Sequence, residues 1–290
     1  MTLFVNLRAS ANGGIAAPNA SAWDDGALPL SAAEFANRVA GRDVLFATHG
    51  FNVDQQDGIA ALSLWSQRCE LPDNYLFVGV LWPGDSKYVP VIDYPFEGDE
   101  AITCGQRLAE YLNANATRAE SVSFVSHSLG ARTILEAVKR LDTNPRRVIL
   151  MAGAIEDDCL AREYADAAAK AAEIYVLASR SDDVLKLAFP AGNLLGEILM
   201  HGHPYSRTAL GREGPARPVP SNLQVAAWQI PDGWDFGHGD YLPSGKIAAA
   251  FPLPVAVPGP DTGVPVDEHA AASAGWKPAW SASAVATQAV

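Results

Sequence analysis

The sequence predicts an α/β domain: a doubly wound, mostly parallel sheet with helices on both faces. Three observations predict it. Short runs of β-branched and aromatic residues alternate with segments of helical periodicity. Most of the strand-like runs are apolar throughout, as strands covered on both faces are. One of them, 121–125, passes into a helical run with almost no loop between.

The strand-like runs are "DVLFATH" (43–49), "YLFVGVLW" (75–82), "SVSFV" (121–125), "RVILMAG" (147–153), "EIYVLAS" (173–179) and "LQVAAWQI" (223–230). Helical patterns occupy 54–69, 99–115, 129–141, 157–171 and 184–200; in the third, Leu129, Thr133, Ala137, Val138 and Leu141 share one face. Gly41 and Pro145 punctuate the chain just before strands. The first 40 residues carry no motif that places them. Residues 1–250 read as one domain. From Phe251 the texture turns Pro- and Ala-rich, which predicts an extended tail, 251–290, pinned to the body by Trp276 and Trp280.

Composition narrows the function. A chain of 290 residues with 49% hydrophobic content buries a sufficient core without disulfides or metal. Cys69, Cys104 and Cys159 are odd in number and widely spaced, which suits free thiols in a reducing compartment. The first ten residues lack a basic region followed by an apolar one, so no leader is expected and a cytoplasmic location is. No apolar run approaches the roughly 20 residues of a membrane span. A net charge of −12 argues against nucleic-acid and anionic-membrane partners, which need a basic footprint.

The abrupt strand-to-helix passage is "VSFVSHSLGART" (122–133). A residue at the tip of such a turn is held in a strained, exposed conformation, with the N-terminus of the next helix aimed at it. Strand and helix approach so closely that the positions two before and two after the tip must be small; here they are Ser126 and Gly130. The tip is Ser128. A serine that merely caps a helix would explain Ser128 but neither Gly130 nor the missing loop.

A serine hydroxyl needs a base, an orienting acid and an oxyanion hole before it is a useful nucleophile. In "ATHGFNV" (47–53), after the first long strand, Gly50 lets the chain turn so that the Phe51 amide faces the tip; the Leu129 amide, just after the serine, is the second donor. Of six histidines, His238 in "DFGHGDYL" follows the last strand and sits between Gly237 and Gly239, so it is the candidate base. His49 and His127 belong to the oxyanion and turn segments, and His269 to the tail. His201 and His203 form a His-x-His without a third ligand at a compelling spacing, so no metal site is expected. For the acid, "EIYVLASRSDDVLKL" offers Asp182 ahead of Asp183: one turns inward, and the other caps the helix starting near Val184. Asp157 and Asp158, one strand earlier, are the rivals.

The order "HGF", "SHSLG", "SRSDDVL", "HGDYL" resembles the α/β-hydrolase superfamily, in its serine esterase and lipase branch. It is also similar to a bacterial group within it that has an "HGFN" oxyanion loop, a Trp-Pro step ("LWPGD") and an Asp-x-x-Leu acid segment. The last of these selects Asp182, three residues before Leu185. The resemblance spans about residues 43–245 and departs from the usual pattern in starting the turn with Ser126 rather than Gly. It implies a serine hydrolase that cleaves small-molecule carboxylic esters with Ser128, His238 and Asp182 and needs no cofactor. An acyltransferase, thioesterase or peptidase would use the same residues. A non-catalytic binding protein on this fold usually lacks one of them.

Two long segments, 82–99 and 185–220, should enter the catalytic face. Trp82, Tyr88, Tyr94 and Phe189 are the main candidates to line an acyl or alcohol cleft; Phe96, Leu194 and Leu195 are further ones, and all could instead be core. The stretch after "RVILMAG" has room for one helix only, so no large cap domain is expected there.

Overall fold

The computed structural model describes residues 2–11, 13–15, 20–26, 28–69, 71–84, 90–187, 208–216, 225–230, 232, 235–241 and 277–280. Its strands are β1 (Leu3–Asn6), β2 (Arg8–Ser10), β3 (Gly13–Ile15), β4 (Ser21–Asp24), β5 (Leu28–Leu30), β6 (Asp43–Thr48), β7 (Tyr75–Leu81), β8 (Ser121–His127), β9 (Arg147–Met151), β10 (Glu173–Ala178), β11 (Val225–Gln229) and β12 (Lys277–Trp280). The main helices are α1 (Ala32–Val39), α2 (Gln55–Arg68), α3 (Pro90–Asn115), α4 (Gly130–Arg140) and α5 (Ala165–Lys170).

Ten strands form one sheet in the order β12-β11-β10-β9-β8-β6-β7-β1-β4-β5, and β2 and β3 form a separate pair. From β1 through β11 every neighbouring pair is parallel. The antiparallel pairings β4–β5, β1–β4 and β11–β12 lie at the two edges.

This order positions the site. The connection leaving β6 carries α2 toward β7 on one side. The connections leaving β7, β8 and β9 carry α3, α4 and α5 the other way. Right-handed crossovers in opposite directions put their helices on opposite faces. In agreement, α2 packs on β7, while α3, α4 and α5 pack side by side. The direction reverses between β6 and β8, and a crevice opens there beyond the carboxyl ends of the strands. Thr48, the last residue of β6, pairs in register with Ser126 of β8.

Beneath the crevice β6, β8 and β9 are buried along nearly their whole length, as continuous apolar runs require. Phe46 and Phe124, in register on adjacent strands, stack with ring centroids 5.5 Å apart. At the opposite ends of the strands the buried Asp43 accepts hydrogen bonds from Ser121 Oγ and from the Asn74 side-chain amide. Local chemistry sets the helix starts. Ser31 and Glu34 form a reciprocal capping box on α1, and Asp54 caps α2 through the Asp57 amide at 2.9 Å.

Two sequence expectations are corrected, and the first 40 residues, which carry no placing motif, gain a place. The first 40 residues build three strands of the main sheet, a small hairpin and α1. Helix α3 begins at Pro90, so much of 82–99 is helical rather than loop; proline is tolerated in a first helical turn. The stretch 157–171 is a 3-10 turn at Cys159–Ala161 and the short α5, not one helix. In the tail, Trp280 lies in β12 and pairs opposite Ala227 of β11; Trp276 lies outside the described residues. No cap domain interrupts β9 to β10. Of the helix expected over 184–200, residues 183–187 are helical and 188–200 lie outside the described residues. Among the described residues no helix is long and apolar enough to cross a membrane.

The Phe46–Phe124 pair yields a stability prediction. Phe124→Ala leaves a cavity under the crevice and should lower the unfolding free energy by about 3–5 kcal/mol in urea titrations. A loss under about 1 kcal/mol would show that the core is not centred on this pair.

Candidate active site

Ser128 stands where β8 gives way to α4. Its φ is +55°, a conformation that side chains other than glycine rarely adopt. Main-chain bonds hold it there: its N–H donates to Met151 O at 3.0 Å, and its C=O accepts from the amides of Ala131 (3.1 Å) and Ala154 (3.2 Å). The flanking small residues are small for visible reasons. A Cβ on Gly130 would overlap the carbonyl oxygen of His49 at the end of β6. The Ser126 hydroxyl is fully buried and bonds Ile149 O at 3.3 Å. The residue at the N-cap of α4 is Leu129, with no side-chain cap. Capping is therefore not the work of Ser128.

A hydrogen-bonded row runs from the serine. His238 Nε2 lies 2.8 Å from Ser128 Oγ, and His238 Nδ1 lies 2.7 Å from Asp182 Oδ2. Asp182 is fully buried. A carboxylate oxygen accepts, so Nδ1 carries the hydrogen and Nε2 is left as the acceptor facing the serine hydroxyl. The other carboxylate oxygen of Asp182 accepts from the Leu185 amide at 2.9 Å. One residue thus orients the imidazole and caps the helix that follows. This corrects the division of labour expected between the two aspartates: Asp183 points to solvent, 3.9 Å from Lys186. The earlier rivals are engaged elsewhere, Asp157 with the Thr208 hydroxyl at 2.7 Å and Asp158 with Arg162 at 3.1 Å.

The loop after β6 presses against the serine from the opposite side. A Cβ on Gly50 would lie 2.7 Å from Ser128 Cβ and 3.3 Å from Oγ, so only glycine lets the main chain come this near. Asn52, at φ +57°, turns the loop away, and its amide bonds Gly84 O. Phe51 sits between these two residues, and Leu129 directly follows the serine. His49 lies beneath. Its Nδ1–H donates to Gly50 O at 2.9 Å, and its ring stacks on Trp82 with centroids 5.7 Å apart and planes 11° apart. Trp82 Nε1–H donates to His49 O at 2.9 Å.

Trp82 was expected at the cleft. It is fully buried and braces the 49–52 loop from below, so it is not a cleft surface. Tyr88 and Phe189 lie outside the described residues. Tyr94 falls on α3, with its side chain outside them. His201 and His203 also lie outside; among the described residues no cluster of ligand types could hold a metal.

Several residues that support the site gave no sequence signal. Buried Arg8, the first residue of β2, donates to Trp82 O (3.0 Å), Val53 O (3.5 Å) and Ala11 O (3.1 Å), tying the N-terminal segment to the 49–53 loop. Ser179 Oγ bonds Phe236 O at 2.6 Å and anchors the loop that carries His238. Gly211 is tucked onto the Ala152–Gly153 backbone, and its carbonyl accepts from the Ser179 amide at 3.0 Å. The Tyr241 phenol is raised well above its ordinary value, chiefly by burial and then by the Asp182 carboxylate. His127, next to Ser128, is pushed down to about 3, first by burial and then by the neighbouring His238.

A doubly wound sheet carrying a serine in left-handed conformation at a strand-to-helix tip, with an imidazole and a buried carboxylate in line, defines the α/β-hydrolase class. Residues 31–250 match the family described as alpha/beta hydrolase of unknown function (DUF900), and the chain belongs to it. No curated protein is detectably similar. Among solved structures the chain is similar to esterase PE8, at 18% identity and TM-score 0.38 over 73% of this chain and 90% of that one. It is similar to the inhibited esterase B from Lactobacillus rhamnosis at 12% identity and TM-score 0.36, over 70% and 71% of the two chains. Acetyl xylan esterase 1 from Thermoanaerobacterium sp. JW/SL YS485 matches at 13% identity and TM-score 0.37, over 74% and 75%.

The buried His127 makes stability depend on pH. Its folded-state value of about 3 lies below that of the unfolded chain, near 6.5. Its contribution is therefore fully present above about pH 6.5 and is lost as pH falls from there toward 3, because the unfolded chain takes up a proton that the folded one refuses. Urea titrations of the wild type and His127→Gln between pH 7 and 4 should show a shallower decline for the variant, the difference approaching about 1.4 kcal/mol per pH unit. Parallel curves would assign the acid sensitivity to other groups.

Proposed function

We propose that the protein is a serine hydrolase that cleaves carboxylic esters through an acyl-enzyme on Ser128. The observation that carries the reading is the continuous row from Ser128 Oγ through the His238 imidazole to the buried Asp182, at 2.8 and 2.7 Å. Both distances fit the hydrogen-bond reach that a nucleophile and its base require.

In this reading His238 Nε2 takes the hydroxyl proton as Ser128 Oγ attacks the acyl carbonyl. The imidazolium that forms is held by Asp182, which stays ionised. The carbonyl oxygen, now negative, moves toward the amides of Leu129 and Phe51. The Leu129 donor lies at the N-terminus of α4, where partial positive charge already gathers, so little reorganisation is needed as charge develops. His238 then gives its proton to the leaving alcohol. Water, activated by the same imidazole, attacks the acyl-serine and releases the acid. Every proton in the cycle passes through His238 Nε2, which is why its tautomer matters and why Asp182 is buried beside Nδ1.

The β9–β10 connection supports a reading of the substrate class. The connection from β9 to β10 holds a 3-10 turn and α5 and no inserted lid. A site without a lid there suits water-soluble esters with short to medium acyl chains.

Ser128→Ala should lower kcat on p-nitrophenyl esters by roughly 10⁵- to 10⁶-fold with the fold intact. Asp182→Asn should cost about 10⁴-fold, because it leaves His238 in the wrong tautomer, whereas Asp183→Asn should change kcat little. Near-normal turnover by Ser128→Ala, or equal small effects of the two aspartate variants, would refute the assignment.

A series of p-nitrophenyl esters should show a preference for acyl chains of roughly two to eight carbons, each buried methylene contributing at most about 0.8 kcal/mol. Saturation kinetics should hold up to the solubility limit. A jump in rate when a triglyceride emulsion forms would mean that a lid exists and that the enzyme is a lipase. A stronger response to the matching thioesters would move the activity to thioester cleavage.

A further inference from the structure

We propose that His127 is a positioning residue: its Nε2–H, donated to the main-chain carbonyl of His238, sets where the His238 imidazole stands over Ser128. This rests on reading Ser128, His238 and Asp182 as the catalytic row.

The bond is 2.7 Å long. A carbonyl oxygen only accepts, so the hydrogen sits on His127 Nε2, and the tautomer is decided by the partner. His127 is the last residue of β8 and directly precedes the nucleophile. The same strand end therefore supplies both the serine and a support for the base that activates it. The supported atom is the carbonyl oxygen of His238 itself, whose carbon is bonded to the same Cα that carries the imidazole. A second support comes from β10, where Ser179 Oγ bonds Phe236 O at 2.6 Å. The loop carrying the base thus hangs from the ends of β8 and β10.

The ring of His127 also gauges the space between the two loops. Its centroid lies 4.8 Å from that of His238 and 6.2 Å from that of Tyr241. On its other edge, Nδ1 faces the 49–52 loop so closely that a Cβ on Gly50 would come within 3.1 Å of it. The titratable groups around it are His238, His49 and Tyr241. Burial among them keeps the imidazole neutral at ordinary pH. Neutrality suits the task. During acyl transfer His238 becomes an imidazolium, and a cation at position 127 would oppose that charge at 4.8 Å. A lysine or arginine could donate the same bond, but it would disfavour the step the bond supports.

Three variants of the full chain separate the donor from the ring, read with p-nitrophenyl butyrate. His127→Gln places an amide N–H about as far out as Nε2. His127→Asn carries the same amide but stops near Nδ1. His127→Phe keeps the ring and loses the donor. The expected result is kcat within about 3-fold of wild type for Gln, and a loss of roughly 10- to 100-fold for Asn and Phe with KM within about 2-fold, as for a reacting group displaced by a fraction of an ångström. The rate of inactivation by a fluorophosphonate should fall in parallel with kcat. Urea midpoints identify any variant that fails to fold; if Phe does, the Gln and Asn pair carries the comparison. Wild-type kcat in Asn and Phe would overturn the proposal, as would a folded Gln variant no better than Asn. Ser128→Ala in the same series separates the two readings. An inactive Ser128→Ala beside fully active His127 variants removes only the role of His127, whereas an active Ser128→Ala removes the catalytic row itself.

Discussion

The site depends on the close approach of α4 to the end of β6. Gly130 lies against the carbonyl of His49, and nothing larger than hydrogen fits between them. That contact forces the chain to turn from strand to helix within the residues 127–130, and Ser128 absorbs the turn at φ +55°. The strain is of the order of 1–3 kcal/mol and is held by the surrounding main-chain bonds. In return the hydroxyl stands clear of the sheet, at the N-terminus of a helix and at the crevice where the strand order reverses.

The other parts are arranged around that point by independent means. The 49–52 loop is fixed from below by Trp82, which stacks on one histidine face and bonds its carbonyl, while Arg8 holds the carbonyls of Val53, next to the loop, and of Trp82. The loop carrying His238 is anchored to the sheet through Ser179 and His127. The Asp182 carboxylate is locked by two bonds that use both its oxygens. Each loop takes its position from an element other than the one carrying the serine, except at His127, where the strand that carries Ser128 reaches across to the His238 loop.

The row from Ser128 through His238 to Asp182 was legible in the sequence because its parts are local. A small-x-Ser-x-Gly pattern between an apolar strand and a helix, a glycine-flanked histidine after the last strand, and an aspartate at the end of β10 each carry their own signal. Asp182 ranks ahead of Asp183 from its place in the segment, and the family resemblance then selects it; in the structure Asp182 is the one that lies 2.7 Å from His238 Nδ1. What was not legible depends on contacts distant in the chain. Leu3–Asn6 is only four residues long, and it becomes a buried strand because β7 and β4 flank it. Arg8 gives no sign that it reaches residues near 53 and 82. Trp82 misled for a similar reason: an aromatic residue leaving a strand toward the catalytic face suits a cleft and a brace equally well, and only the stacking on His49 decides between them. His127 was read as part of the turn because its partner, the carbonyl of residue 238, is 111 positions away.

The central claim is that Ser128 is the nucleophile, and covalent trapping tests it most directly. The wild-type chain, treated with a fluorophosphonate and cut with trypsin, should carry one phosphonyl group on the peptide from Ala119 to Arg132, at Ser128. The modification should become slow when His238 is replaced by alanine. A label on any other residue, or none on a folded and stable chain, would contradict the account.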